Sequence, residues 1–77
     1  MMESILVYPN PATSMVSINV DEVLKIEILD MNGRTLISKE HSNKIDISEI
    51  PDGVYTIKVV LPQGEAIRKI VKMASNR

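Results

Sequence analysis

The sequence predicts an all-β domain, a small antiparallel sandwich of seven short strands. Three observations carry that prediction. The apolar residues include 11 Ile and 8 Val but only 2 Tyr, with no Phe and no Trp, and β-branched side chains are stiff at χ1 and pack well on a pleated surface. Apolar and polar residues alternate with period two over several stretches, and no stretch shows a convincing 3.6-residue period. Turn signals built on Gly, Pro, Asn and Asp recur roughly every 6 to 12 residues. The 77 residues make one domain, because two would each have too little core to bury. At 44% hydrophobic the chain has enough apolar surface to fold and too much to stay disordered. A core without Phe or Trp rests on many aliphatic contacts of ~1.5–3 kcal/mol each. Its margin over chain entropy is thin.

The elements follow in order. Ile5-Leu6-Val7-Tyr8 is a first strand, halted by Pro9 and Pro11, which remove ladder donors and restrict the residues before them. Asn10 between them makes a rigid turn. Met15 to Val20 alternates, with Val16, Ile18 and Val20 on one side and Ser17 and Asn19 on the other. Val23 to Leu29 places Leu24, Ile26 and Ile28 inward and Lys25 and Glu27 outward. Asp30-Met31-Asn32-Gly33 is a hairpin signal, since both Asn and Gly tolerate positive φ. Arg34 to Ser38 returns, with Leu36 as a core residue, and Lys39 to Asn43 reads as a polar loop. Ile45 and Ile47 alternate about Asp46, and two tight turns follow, Ser48 to Pro51 and Asp52-Gly53. Tyr55, Ile57, Val59 and Leu61 form one face of the longest strand. Val54 and Val60 on its other face predict burial on both sides near its ends. Pro62-Gln63-Gly64 turns the chain into a last strand, Ala66 to Met73. Tyr8 and Tyr55 are expected in the core with their hydroxyls at the rim.

Met1-Met2 reads as an added start before a fragment, and Ala74 to Arg77 as a frayed tail, so the domain is placed at residues 3–73. This spacing favours an Ig-like β-sandwich with Greek-key connections over a small five-stranded barrel.

Composition narrows the chemistry. With no cysteine, disulfides and cysteine-based zinc sites are excluded. A net charge of −1 gives no bulk attraction for nucleic acid, and no aromatic platform exists for single strands or sugars. No run of 18 apolar residues is present to insert in a membrane as a helix, and the N-terminus lacks a basic-then-apolar leader pattern. His41 sits among Glu40, Ser42 and Asn43 on a polar loop, which suits a solvated histidine better than a general base. Asp21-Glu22 lacks the Asp-x-Asp-x-Asp spacing of a calcium loop and reads as a turn. No glycine cluster precedes a helix to cradle phosphate. The expectation is a chain with no catalytic group, cofactor or metal.

The most patterned segment is the last one. Gly53 to Leu61, a turn, and Glu65 to Met73 form a hairpin that carries Arg68, Lys69 and Lys72, with no acidic residue after Glu65. Such charges either protect an edge strand in solvent or form a docking face. A final edge strand offers unpaired N–H and C=O groups to a partner by strand addition, with Lys69 and Lys72 setting register and Gly53 permitting the turn that aims the hairpin. The same edge would let two copies pair as a homodimer. The placement points to recognition or targeting.

Four segments in order carry a family resemblance: Val7-Tyr8-Pro9-Asn10-Pro11, then Val23 to Arg34 (VLKIEILDMNGR), then Ile45-Asp46-Ile47-Ser48 leading into Pro51-Asp52-Gly53-Val54-Tyr55, and finally Gly64 with Arg68-Lys69-Ile70-Val71-Lys72. Over residues 5 to 73 the chain resembles the C-terminal sorting domain of the type IX (Por) secretion system, type A. The resemblance implies a module at the end of a larger cargo protein of a Gram-negative bacterium. Cargo of this kind enters the periplasm by a separate signal. Translocon or shuttle proteins then take it to the outer-membrane surface or beyond. A sortase-like cysteine peptidase cuts before the domain and joins the cargo to anionic lipopolysaccharide. The family's signal lies in the final strands, which here means Gly53, Tyr55, Gly64, Lys69 and Lys72, with Arg68 beside them. Met73 to Arg77 run past the point where the family often ends. The competing expectation is a generic Ig-like accessory or adhesion module. A carbohydrate-binding module is disfavoured by the lack of Trp.

Overall fold

The computed structural model describes residues 5–73. Both chain ends of the sequence-based domain limits, residues 3–4 and the tail 74–77, lie outside the described residues, as does Met1-Met2. Seven strands occur among the described residues: β1 Val7–Tyr8, β2 Met15–Ile18, β3 Lys25–Leu29, β4 Thr35–Glu40, β5 Lys44–Asp46, β6 Gly53–Leu61 and β7 Gly64–Lys72. They form a three-stranded sheet, β1-β2-β5, and a four-stranded sheet, β4-β3-β6-β7. Every ladder is antiparallel. The non-consecutive neighbours β2·β5 and β3·β6 are the Greek-key crossovers of the expected Ig-like sandwich.

The core is aliphatic, as the composition requires. Its largest fully buried side chains are all Ile or Val: Ile18, Ile26, Ile28, Ile45, Ile47, Ile57, Ile70, Val16 and Val59. They come from alternate positions of β2, β3, β5, β6 and β7, with Ile47 just past β5, so the period-two reading of these segments holds.

Several local expectations are corrected. Leu24 is exposed and Val23 is buried in its place. The crossing from one sheet to the other delivers Val23 to the core, while Leu24 lines an open recess with His41 and Pro62. Leu36 is also exposed. The ladder slips from Ile28↔Ile37 to Leu29↔Thr35, so Leu36 is the extra residue of a bulge that breaks the alternation, and Ile37 packs against the core instead. Lys39 and Glu40 belong to β4, paired with Ile26 and Lys25, which shortens the polar loop. An edge strand facing solvent needs no apolar pattern, so polarity misled there. Val54 is exposed and Val60 half-buried, because nothing among the described residues covers the outer face of the four-stranded sheet. Tyr8 is exposed; only Tyr55 is a core tyrosine.

The Asn-Gly hairpin forms, but with positive φ at Gly33 alone, +86°. Gly33 N–H donates to Asp30 O at 3.0 Å. Asp30 Oδ1 accepts from the N–H groups of Asn32 and Arg34, each at 2.9 Å. These backbone donors, Arg34 first, hold the Asp30 carboxyl below its usual range. The result is a three-residue loop with glycine in the left-handed position.

Candidate functional site

β6 and β7 pair over their whole length, from Gly53↔Lys72 to Leu61↔Gly64, around the two-residue loop Pro62-Gln63. This places the sequence-selected residues in three groups. Gly53, Tyr55 and Lys72 meet at the open end of the hairpin. Arg68 and Lys69 lie mid-strand, opposite Ile57 and Thr56. Gly64 is at the turn, eight positions along β7 from Lys72, or roughly 27 Å at about 3.4 Å per residue. They do not form one site.

The open end is a structural corner. The buried Tyr55 donates its hydroxyl to Pro51 O at 2.5 Å, four residues upstream. A tyrosine at the start of this strand, bonded back to the backbone of the preceding crossing, is the tyrosine corner of Ig-like sandwiches. Gly53 has φ +156°, and a Cβ there would lie 3.8 Å from the Tyr55 ring, an ordinary contact. Glycine is therefore required by the backbone conformation, not by space. Lys72 pairs with Asp52, Nζ to Oδ1 at 3.6 Å, and its side chain is 9% exposed against 56% for Asp52. Its stem fills the corner while its charge reaches the rim.

Lys69 and Lys72 are three positions apart on a strand and so face opposite ways. Arg68, Lys69 and Lys72 therefore do not all lie on one face of the sheet. Lys69 is exposed on the solvent face of the four-stranded sheet. Arg68 is exposed at the flank and donates from Nη1 to Ile67 O at 2.9 Å. Elsewhere on that sheet Glu27 is held below its usual pKa, chiefly by its hydrogen bond to Lys25. Lys25 lies 3.1 Å from it and Lys58 3.5 Å.

The edge of β7 is partly covered. Ala12 N–H donates to Val71 O and Met73 N–H donates to Ala12 O, both at 2.8 Å, in a parallel bridge. One step earlier the Asn10 side chain stands in for a peptide unit. Its Nδ2 donates to Lys69 O at 3.3 Å and its Oδ1 accepts from Val71 N–H at 3.0 Å. Asn10 to Ala12 thus act as a short pseudo-strand over the C-terminal half of β7. The sequence pattern marks Asn10 only as a turn residue. The available signal was an amide between two prolines, a side chain able to mimic the backbone that prolines cannot fully supply.

Among the described residues no cluster of three or more His, Cys, Asp or Glu could hold a metal. No helix among them is long and apolar enough to cross a membrane. His41 faces a shallow recess with Asp21 and Glu22.

Beta-agarase D of Zobellia galactanivorans is 26% identical over 68 residues, 87% of this chain. Those residues are 14% of that relative, so the chain spans about a seventh of the curated protein it matches. Residues 6–73 match the model of the secretion system C-terminal sorting domain. That match covers the corner, the last hairpin and the Asn10 segment together. The chain therefore belongs to the family of secretion system C-terminal sorting domains, the sorting-signal domains of type IX secretion.

Proposed function

We propose that this domain is a recognition module without activity of its own, the tail of a larger cargo protein that passes through the periplasm. A type IX translocon or shuttle protein reads its last hairpin by adding a strand to β7. A sortase-like cysteine peptidase then cuts upstream of the domain. The observation that carries this reading is the family match over residues 6–73. The geometry supports it by dividing labour among the residues. Arg68 and Lys69 are exposed and available to a partner. Gly53, Tyr55 and Lys72 hold the corner that fixes where β7 lies, and Gly64 closes the hairpin turn.

The test fuses the 77 residues behind a reporter that carries a periplasmic signal. Surface delivery in a host with an intact type IX system, and none in a host lacking the translocon, is expected. Delivery in both hosts, or in neither, would sink the proposal. In a third host lacking the peptidase, delivered reporter is expected to keep the domain attached. Removal of the domain there would discard the cleavage step.

A further inference from the structure

The backbone of β7 shows which part of the edge a partner strand can use. Val71 gives both its N–H and its C=O to the Asn10–Ala12 segment, so these groups point away from β6. The β6–β7 ladder runs without a slip, so Lys69, Ile67 and Glu65 present their backbone groups outward in the same way. Lys69 O is taken by Asn10 and Ile67 O by the Arg68 guanidinium. The N–H groups of Glu65, Ile67 and Lys69 have no acceptor among the described residues. Between them Ile67 stands 53% exposed on the solvent face.

We infer that the edge of β7 from Glu65 to Lys69 is the docking strip of the sorting signal, and that its occupant is a short extended segment of the secretion machinery with an apolar residue flanked by an acidic one. This rests on the strand-addition reading. The length is set on one side by the Pro62-Gln63 turn and on the other by Asn10, which leaves five residues, or about 17 Å. The strip offers donors in excess of acceptors, contains Arg68 and Lys69 and is followed by Lys72, with no acidic residue from Ala66 to Met73. An acidic side chain would draw the Arg68 guanidinium off Ile67 O and free that carbonyl for the ladder. The apolar neighbour would pack on Ile67. A second copy of the chain fits less well. Aligned about Ile67, its own Gly64 would stand opposite Ile70, where Asn10 already bridges Lys69 and Val71. A foreign segment can bend away there.

The test uses the reporter fusion with three substitutions. Ile67→Pro removes the central outward N–H and leaves the β6 ladder intact, a position where edge strands accept proline. Ile67→Asp keeps the backbone and places a negative charge against the acidic segment. Met31→Asp alters an exposed residue of the remote β3–β4 turn. Ile67→Pro is expected to lower surface delivery about tenfold, the scale of one lost backbone bond, and Ile67→Asp to lower it through charge repulsion, while the Met31 variant delivers like the parent. Thermal melts of the chain report folding. If Ile67→Pro does not melt cooperatively, Ile67→Asp decides. Parent-level delivery by the folded Ile67 variants overturns the strip and leaves the sorting reading standing. A parent fusion that is never delivered removes the sorting reading and the strip with it. Sedimentation showing a parent dimer that Ile67→Pro dissolves would make the occupant a second copy and overturn the assignment.

Discussion

Tyr55 and Lys72 stand on the same hairpin as Lys69, yet their side chains do different work. Tyr55 ties β6 to the preceding crossing through Pro51 O. Tyr55→Phe removes that hydrogen bond to an exposed residue and should cost about 1 kcal/mol. For a domain of this size that lowers the melting temperature by roughly 4–8 °C per kcal/mol. An unchanged melt would show that burial alone holds the corner. Lys72→Ala removes both a packed stem and an ion pair that half-exposed Asp52 keeps weak. It should destabilise by about 1–2 kcal/mol. Lys69→Ala should stay within about 0.5 kcal/mol and lower delivery of the fused reporter. Equal melts for the two lysine variants would contradict this division. The inward position of Tyr55 was legible from alternation, but its hydrogen-bond partner was not. The partner is a carbonyl that the β5–β6 crossing brings into place.

At the scale of elements, the strands were legible where one face is buried and illegible where the ladder is irregular. β2, β3 and β6 announced themselves by period two. The bulge at Leu36 did not, because one extra residue inverts the pattern and only the pairing partner reveals it. The Asn10 segment was the largest omission, since its partner is about sixty residues away in sequence. It makes a specific prediction for amide exchange. In the parent chain the Val71 amide should be protected and the Ile67 amide should exchange fast, although both lie on the same strand. Asn10→Ala removes the acceptor of Val71 N–H and should speed that exchange about tenfold, in line with one hydrogen bond, with Ile67 unchanged. If the two amides exchange alike in the parent, Asn10 does not cover β7 in solution.

For the whole molecule, acid is the revealing variable. Glu27, Asp30 and Asp46 all titrate below their ordinary values. For Asp46 the main cause is the Ser48 N–H, which donates to Oδ1 at 2.8 Å. A folded-state pKa below the unfolded one adds stability that is complete above the unfolded carboxylate range, about 4. That stability drains as pH falls through the folded values. The melting temperature should therefore drop as pH falls below about 4, and Glu27→Gln should reduce the drop. A melt that stays constant down to about pH 3 would contradict the assignment.

Composition and local pattern were enough for the all-β class, the seven strands, the aliphatic core and the family likeness. These follow from side-chain stereochemistry and from local alternation, which act between near neighbours along the chain. Which cations are exposed, which end of β7 is covered and how Tyr55 is bonded became visible with the packed sheets. Those outcomes depend on pairings between residues far apart in sequence, and on which sheet faces meet a second layer and which meet water.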